Sequence, residues 1–331
     1  MMRVLQFAVS CANWILGLIG LRVLVMRKEV GAAKPTGAAE VQEMDVQIAP
    51  PTTDRVVSVT PAGRRQYLEV LVPYLLANRH LIDRHVFWLN TTQADDIAYI
   101  RSVCARYPDF FSYLESSVPV DGNMSIAPFF QHCQDERTLY IRFDDDICYV
   151  ADDAVANLIA FRRAHPQYFL VFGNTINNAI CSFLHQRAGR LPASTPPVQY
   201  DCMDAVGWAS GVYAAATHRE FLRCQAAGTL DRFLFDRWVL FDYNRFSVNC
   251  FAWFGHDFKR FDGRVGRLDN GKSIVEEDWL TTYMPQRLSR PNAICGRSLV
   301  AHFAFYTQRP YLEHHTQLLA DYHRLAAPRG T

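Results

Sequence analysis

Apolar residues along this chain fall into short runs typical of strands and longer stretches spaced as in helices. The runs Arg55–Thr60, His85–Asn90 and Thr138–Phe143 are rich in β-branched and aromatic residues, which predicts strands. Residues 64–80 carry apolar side chains at helical spacing, which predicts a helix that Pro73 bends. This alternation of strand and helix predicts an α/β domain with a mostly parallel central sheet flanked by helices.

Two further helices and one further strand extend the same pattern. The sequence predicts helices over residues 92–107 and 154–164, and Tyr168–Gly173 is another short apolar run. Ligands of such sheets bind outside the carboxyl ends of the strands. Asp144–Asp146 follow Thr138–Phe143 directly, so we expect their carboxylates at the ligand-binding edge of the sheet.

The consecutive aspartates Asp144–Asp146 are the most informative polar feature of the chain. Like charges placed this close repel one another unless a cation or hydrogen-bond donors offset them. Carboxylate oxygens suit Mg²⁺ or Mn²⁺, and these ions keep open positions for substrate phosphates. The triplet therefore indicates a divalent metal that holds a diphosphate, and a solvated acidic turn is the simpler alternative.

The first 30 residues contain a long apolar segment. Residues 4–25 are long enough to span a bilayer, which predicts a single membrane anchor within residues 1–30. A cleaved signal peptide and an interfacial or soluble helix are the alternatives. Arg22, Arg27 and Lys28 place more positive charge after the segment than before it, which favours a membrane-associated domain on the cytoplasmic face.

Residues 31–54 have the composition of a flexible linker. They are rich in Ala, Gly, Pro and Thr and lack an apolar period. The catalytic domain is therefore expected to occupy residues 55–331.

Charge and cysteine content exclude some classes of function. Lys and Arg total 34 and Asp and Glu total 33, so the net charge of +1 does not favour a nucleic-acid-binding protein. The nine cysteines include no Cys-x-x-Cys pair, so neither a zinc site nor a small disulfide framework is indicated.

Four motifs occur in an order that is typical of one enzyme class. Asp144–Asp146 match an Asp-x-Asp motif, Gly207–Gly211 a glycine-containing loop, Glu276–Asp278 an x-Glu-Asp motif, and His302 a late histidine. Over about residues 55–308 the chain resembles the GT-A class of nucleotide-sugar glycosyltransferases, in a branch found in microbes and fungi. The resemblance implies a Rossmann-like, mostly parallel sheet flanked by helices.

The resemblance also implies a metal site. Asp144, Asp146 and His302 would hold Mn²⁺ or Mg²⁺, which stabilises negative charge on the departing nucleotide diphosphate. Asp144 would contact either the metal or the ribose hydroxyls, and Asp145 would either support the metal ligands or contact the sugar. The alternative for His302 is a buried core histidine in an apolar strand.

A general base is implied at the x-Glu-Asp motif. Asp278 or Glu277 would take a proton from the acceptor hydroxyl, and Asp278 is favoured if the enzyme inverts the sugar configuration. Helix capping is the alternative, because acidic residues are preferred at the start of a helix near Trp279.

Other residues are candidates for contacts with donor or acceptor. Thr60 and Arg64 lie in the early turn where the class binds its nucleotide. The Asn174 and Asn177 amides suit sugar hydroxyls, or they terminate a strand. In the glycine-containing loop, Trp208 would stack on a sugar ring, although a tryptophan is also a normal core residue. Gly211 would let the backbone approach the sugar closely.

These features together predict a metal-dependent, inverting glycosyltransferase tethered to a membrane. It would move a sugar from a nucleotide diphosphate sugar, UDP-linked by default in this class, to a glycan or lipid-linked acceptor. The alternatives are a non-catalytic membrane-anchored module that binds a sugar nucleotide, and a metal-dependent phosphohydrolase. The transferase hypothesis requires Asp146, Asp278 and His302 around one cleft.

Overall fold

The buried apolar runs of the sequence become strands of one central sheet. The structure is a computed structural model that describes residues 52–327. Within these residues the strands are β1 (Arg55–Ala62), β2 (Arg84–Leu89), β3 (Phe111–Glu115), β4 (Thr138–Phe143), β5 (Ile147–Val150), β6 (Val171–Ile176), β7 (Arg237–Leu240), β8 (Cys250–Phe254) and β9 (Asn292–His302). Their order in the sheet is β3-β2-β1-β4-β8-β6-β9-β5, and β7 pairs with β9.

Most of these strands run in one direction. Parallel pairing joins β1 to β2, β2 to β3, β1 to β4, and β6 to β9. Strand β8 is antiparallel to both β4 and β6, so these two strands also share a direction. Strands β1 to β4, β6 and β9 therefore all run the same way. Strands β5, β7 and β8 run the opposite way. The predicted α/β fold with a mostly parallel, Rossmann-like sheet is therefore confirmed.

Helices connect the strands and cover the sheet. In residues 52–327 they are α1 (Arg65–Ala77), α2 (Ala94–Arg106), α3 (Ala154–Ala164), α4 (Ala179–Arg187), α5 (Gly211–Ala226), α6 (Gly255–Lys259), α7 (Glu276–Asp278), α8 (Met284–Leu288), α9 (Arg309–His315) and α10 (Leu318–Ala326). Short 3₁₀ turns span Gly122–Ser125, Ala127–His132 and Leu230–Phe233, and a π-helical turn, Trp279–Tyr283, joins α7 to α8. The helix predicted over residues 64–80 is α1, which continues through Pro73.

Strand β4 shows how the sheet is buried on both faces. All six of its residues are buried. Leu139, Ile141 and Phe143 belong to one hydrophobic core, and Tyr140 belongs to the other. Side chains alternate between the faces of a strand, so one core lies on each side of the sheet. This explains why the run is apolar throughout rather than alternating.

The predicted membrane anchor lies outside residues 52–327. Among the described helices, none is both long and apolar enough to cross a bilayer. Most of the predicted linker, residues 31–54, also lies outside the described part of the chain.

We expect His85→Gln to make unfolding less sensitive to acid. His85 is fully buried on β2, where Nδ1 lies 2.7 Å from Ser58 Oγ. Burial lowers the pKa of His85 from 6.5 to about 3. Between these values the unfolded chain binds a proton that the folded protein does not, so stability falls as the pH falls. The penalty of the substitution should therefore shrink by about 1.4 kcal/mol per pH unit below pH 6.5.

Denaturant unfolding at pH 7.5, 6 and 4.5 measures this effect. The matched control is His80→Gln, because His80 is exposed on the neighbouring turn. A constant difference between wild type and His85→Gln across this pH range would contradict the prediction.

Candidate active site

A cleft of about 380 Å³ opens at the carboxyl ends of β1 and β4. Asp144–Asp146 reach it from the turn between β4 and β5, and Arg64 reaches it from the turn between β1 and α1. Glu276 and Glu277 enter from the start of α7, and His302 enters from the end of β9. Segments that are distant in sequence therefore converge where parallel strands end, as the sheet topology predicts.

Asp146 lies at the centre of the charged groups. Arg64 Nη2 lies 3.0 Å and Arg309 Nη2 3.3 Å from its Oδ2 atom, and His302 Nε2 lies 3.2 Å from its Oδ1 atom. Burial alone would raise the pKa of Asp146, but Arg64, His302 and Arg309 together hold it well below the usual range. Asp146 is therefore a carboxylate that stays ionised although it is buried.

Asp145 fixes the turn that carries Arg64. Its Oδ2 atom accepts a hydrogen bond of 3.1 Å from the Gly63 amide, and its carboxylate forms an ion pair with the Arg64 guanidinium. A Cβ atom on Gly63 would lie 2.9 Å from the Asn90 carbonyl oxygen, so the turn requires glycine at this position. Asp145 thus joins β4 to β1 across the cleft floor.

Asp146 and His302 fit a metal ion as a ligand pair. The Oδ1 atom of Asp146 is buried without a hydrogen-bond partner, and its neighbour His302 Nε2 lies 3.2 Å away. Adjacent ligands of an octahedral Mg²⁺ ion at about 2.1 Å lie about 3.0 Å apart. Asp144 does not join the pair, and among residues 52–327 no three His, Cys, Asp or Glu side chains are grouped as a metal site. Of the three predicted ligands, Asp146 and His302 therefore lie together and Asp144 lies apart from them.

Asp144 is held instead by an arginine from its own strand. Arg142 and Asp144 are two positions apart and share a face of β4, and Arg142 Nε and Nη2 donate to Asp144 Oδ1 at 3.0 and 2.8 Å. Arg142 Nη1 also donates to Glu276 Oε1 at 2.7 Å. Burial raises the pKa of Asp144 to about 6 and raises the pKa of Glu276, while Arg142 opposes both shifts. This chain of charges joins the acidic turn to α7.

Arg245 holds the other two acidic residues of the x-Glu-Asp motif. Its Nε atom lies 2.5 Å from Glu277 Oε1 and 3.1 Å from Asp278 Oδ1. The Glu277 side chain is 18% exposed and lines the cleft, whereas that of Asp278 is 40% exposed and lies outside the cleft lining. Burial raises the pKa of Glu277 and Arg245 opposes the shift. Glu277 is therefore the carboxylate of this pair that faces the cleft, and the predicted group of Asp146, Asp278 and His302 does not line one cleft, because Asp278 lies outside it.

Three aromatic side chains form one wall of the cleft. Trp208, Phe305 and Tyr306 all line it, and Tyr306 is 68% exposed. The Trp208 ring centroid lies 6.1 Å from that of Phe305 and 5.3 Å from that of Tyr306. Such a wall offers flat apolar faces to a sugar ring or a nucleotide base. Trp208 is half-buried, so it belongs to the cleft wall and not to the core.

Three predicted contact residues do not reach the cleft. Thr60 is fully buried within β1. The Asn174 amide is fully buried and donates to the carbonyls of Phe233 and Gly296. A Cβ atom on Gly211 would lie 2.5 Å from Tyr311 Cβ, so this glycine allows close packing of α5 on α9.

Asn177 acts on the cleft indirectly, through the segment that carries His302. It adopts a left-handed conformation with φ of 62°. Its Nδ2 atom donates to the carbonyls of His302 and Phe303 and to Gln308 Oε1, at 3.3, 2.9 and 2.9 Å. Gln308 Nε2 in turn donates to the Gly207 carbonyl, next to Trp208. Asn177 therefore positions the end of β9 instead of facing the cleft.

Several cleft residues were not predicted from the sequence. Arg142 had a readable signal, because a charge inside an apolar run, two positions before Asp144, indicates a buried partner. Arg245, Phe305, Tyr306 and Arg309 lie in loops or at a helix start, and no local pattern marks them.

Comparison with known proteins gives weak similarities only. No family model and no curated protein matches the chain. A 4-diphosphocytidyl-2C-methyl-D-erythritol synthase from Anaerococcus prevotii is 15% identical over 37% of this chain, with a TM-score of 0.28. A second structure of such a synthase is 13% identical over 35%, also with a TM-score of 0.28. The chain spans 55% and 59% of these two structures.

A third structure matches over a longer range. A CMP:2-keto-3-deoxy-manno-octonic acid synthetase in complex with CTP is 10% identical over 83% of this chain and 99% of its own, with a TM-score of 0.42. Similarities at this level do not assign an activity to this chain.

Proposed function

We propose that the protein is a glycosyltransferase that uses a nucleotide diphosphate sugar, UDP-linked by default. The observation that carries this proposal is the convergence of Asp146, His302 and Glu277 on one cleft that Arg64 and Arg309 also enter. A buried ionised carboxylate, guanidinium groups and a facing carboxylate are the groups that transfer from a diphosphate requires.

The arginines supply the contacts to the diphosphate. Arg64 and Arg309 form ion pairs with Asp146, and Nε of Arg309 is buried without a hydrogen-bond partner. Guanidinium groups form paired hydrogen bonds to phosphate oxygens as readily as to carboxylates. Binding of a diphosphate therefore exchanges one anion for another at these two side chains.

Asp146 and His302 are the residues that would hold Mn²⁺ or Mg²⁺. A bound ion would supply positive charge at the leaving diphosphate. We therefore expect the metal and the diphosphate to bind side by side in the cleft.

Glu277 is the residue we propose as the general base. It faces the cleft, and burial raises its pKa, which makes it a stronger base. It takes the proton of the acceptor hydroxyl as the oxygen attacks the sugar carbon and the bond to the diphosphate breaks. Attack on the face opposite the leaving group gives inversion. Asp278 shares Arg245 with Glu277 and is the second candidate.

The two alternatives make different demands on the site. A phosphohydrolase with two metal ions needs further His or Asp ligands, and residues 52–327 contain no cluster of three. A non-catalytic module would use Asp146, His302 and the arginines equally, but it would not need Glu277. The transferase and the module are therefore separated by activity, not by binding.

Thermal shift of the full chain tests the nucleotide-binding and metal-binding parts of the proposal, and the rate of sugar transfer tests the rest. We expect one nucleotide of a panel of UDP, GDP, CTP, CMP and their sugar conjugates to raise the melting temperature, more strongly with Mn²⁺. A ligand at 100 times its Kd stabilises the fold by about 2.7 kcal/mol. Asp146→Ala should abolish the Mn²⁺-dependent part of the shift, while the freed arginines can still bind phosphate.

The matched control is Asp109→Ala, an exposed aspartate in the turn before β3. It should keep the full metal-dependent shift. The proposal would be overturned if the protein is folded and no nucleotide of the panel raises its melting temperature. An unchanged Mn²⁺ effect in Asp146→Ala would remove Asp146 and the metal from it.

A further inference from the structure

A second and larger cavity lies beside the cleft. Its volume is about 700 Å³, and it runs between residues 117–131 and residues 263–274. None of the catalytic residues proposed above lines it. A cavity of this size is within the range of small-molecule binding sites. We call it the side groove.

The side groove and the cleft share two walls. In the first wall, Gly122, Asn123 and Ile126 face the cleft, whereas Met124 and its neighbours face the side groove. Asn90 fixes this wall, because its Nδ2 atom donates to the Gly122 carbonyl at 2.9 Å.

The second wall leads directly to the proposed base. Ile274 faces the side groove, the next residue Val275 faces the cleft, and Glu276 and Glu277 follow at the start of α7. The side groove and the carboxylate proposed to activate the acceptor are therefore only three residues apart along this segment, from Ile274 to Glu277.

The apolar side chains that line the side groove are aliphatic. Val118 and Met124 are 40% and 52% exposed, and Pro128, Val265 and Ile274 extend the apolar surface. No Phe, Tyr or Trp lines it among the residues that the structure describes. Aromatic faces are the usual platform for sugar rings, and here they lie in the cleft instead. The side groove therefore favours an alkyl chain over a glycan.

The charge at the side groove is positive. Arg264 and Arg267 line it against a single carboxylate, Asp121. Arg264 is 3.5 Å from Asp262, whereas Arg267 is exposed and forms no ion pair with any residue from 52 to 327. An unpaired guanidinium beside an apolar surface suits a ligand that carries an anionic group on an aliphatic chain.

We propose that the side groove binds the acceptor, and that the acceptor is an amphipathic molecule with an aliphatic chain and an anionic group near its hydroxyl. The chain lies on the Val118 and Met124 surface, and the anion pairs with Arg267. This inference rests on the proposed function and names the substrate class of the same site.

Binding of decyl phosphate to the full chain tests the inference, measured by isothermal titration calorimetry below its aggregation threshold. Wild type should bind it saturably, and Val118→Ser/Arg267→Gln should bind it at least 10-fold more weakly. The matched control is Val212→Ser/Arg219→Gln, which changes the same residue types at exposed positions of α5. It should bind like wild type.

Three further ligands identify what is recognised. Decanol lacks the anion and inorganic phosphate lacks the chain, so each should bind at least 10-fold more weakly than decyl phosphate. Decanoate distinguishes a carboxylate from a phosphate as the preferred anion. Equal affinity of wild type and the groove variant for decyl phosphate, or no saturable binding, would overturn the inference.

The nucleotide shift keeps the two proposals separate. The groove variant should retain the full Mn²⁺-dependent shift, because its substitutions lie outside the cleft lining. A retained nucleotide shift with no binding of decyl phosphate to wild type overturns the acceptor groove alone. If no nucleotide raises the melting temperature of wild type, the proposed function is overturned, and with it the acceptor role of the side groove.

Discussion

Replacing Glu277 with glutamine is expected to lower kcat for sugar transfer by about 10²–10⁴-fold. Glutamine keeps the shape of the side chain and its contact with Arg245, but it cannot accept a proton from the acceptor hydroxyl. Steady-state rates with the donor identified by thermal shift measure the loss. Nucleotide binding should be unchanged, because the proposal assigns the diphosphate to Arg64 and Arg309 and not to Glu277.

Asp278→Asn provides the matched control for this prediction. Both carboxylates contact Arg245 Nε, at 2.5 and 3.1 Å, but only Glu277 lines the cleft. We therefore expect a much smaller loss of kcat in Asp278→Asn than in Glu277→Gln. A larger loss in Asp278→Asn would assign the base to Asp278, as the family resemblance implies. Full activity of both variants would exclude a general base at this motif.

Local patterns were sufficient to predict the elements that carry the acidic residues. The buried run of β4 has no charge except Arg142, so its length and its end at Asp144 are readable from the sequence. The parallel pairing of β1 with β4 then brings Arg64 and Asp145 together. The strand–helix alternation predicted the common direction of these strands, and so the edge of the sheet where both residues lie, but it did not predict that β1 and β4 are neighbours.

Other features depend on contacts that no local pattern contains. Asn174 and Asn177 follow a predicted strand, where amides that bind sugars and amides that satisfy backbone groups look alike in sequence. In the folded protein both amides bind backbone carbonyls. Strand β8 enters the sheet between β4 and β6 from a segment about 100 residues after β4, and its position depends on packing between distant segments.

We expect Arg142→Met to lower the free energy of unfolding by about 3–5 kcal/mol, the usual cost of leaving a buried charge without its partner. Arg142 and Glu276 are each only 3% exposed, and Arg142 contacts both Glu276 and Asp144. Urea denaturation of the purified chain measures the change. Arg101→Met, at an exposed ion pair with Glu115, is the control and should have little effect.

The double variant Arg142→Met/Glu276→Met separates the lost charge from the lost packing. It leaves no buried carboxylate unpaired at Glu276, so it should be more stable than Arg142→Met alone. A double variant no more stable than the single one would show that packing of the Arg142 side chain, and not the ion pair, dominates.

The pH dependence of Arg142→Met gives a second measure of the same ion pair. Burial already raises the pKa of Glu276, and the loss of Arg142 removes the charge that opposes this shift. A folded-state pKa above the unfolded value means that the folded protein binds the extra proton, so its stability falls as the pH rises through that pKa. Arg142→Met should therefore be less destabilising at pH 5 than at pH 8. A penalty that is independent of pH would mean that Glu276 finds another donor or reaches solvent. In that case the ion pair between Arg142 and Glu276 would not hold the start of α7 against the acidic turn.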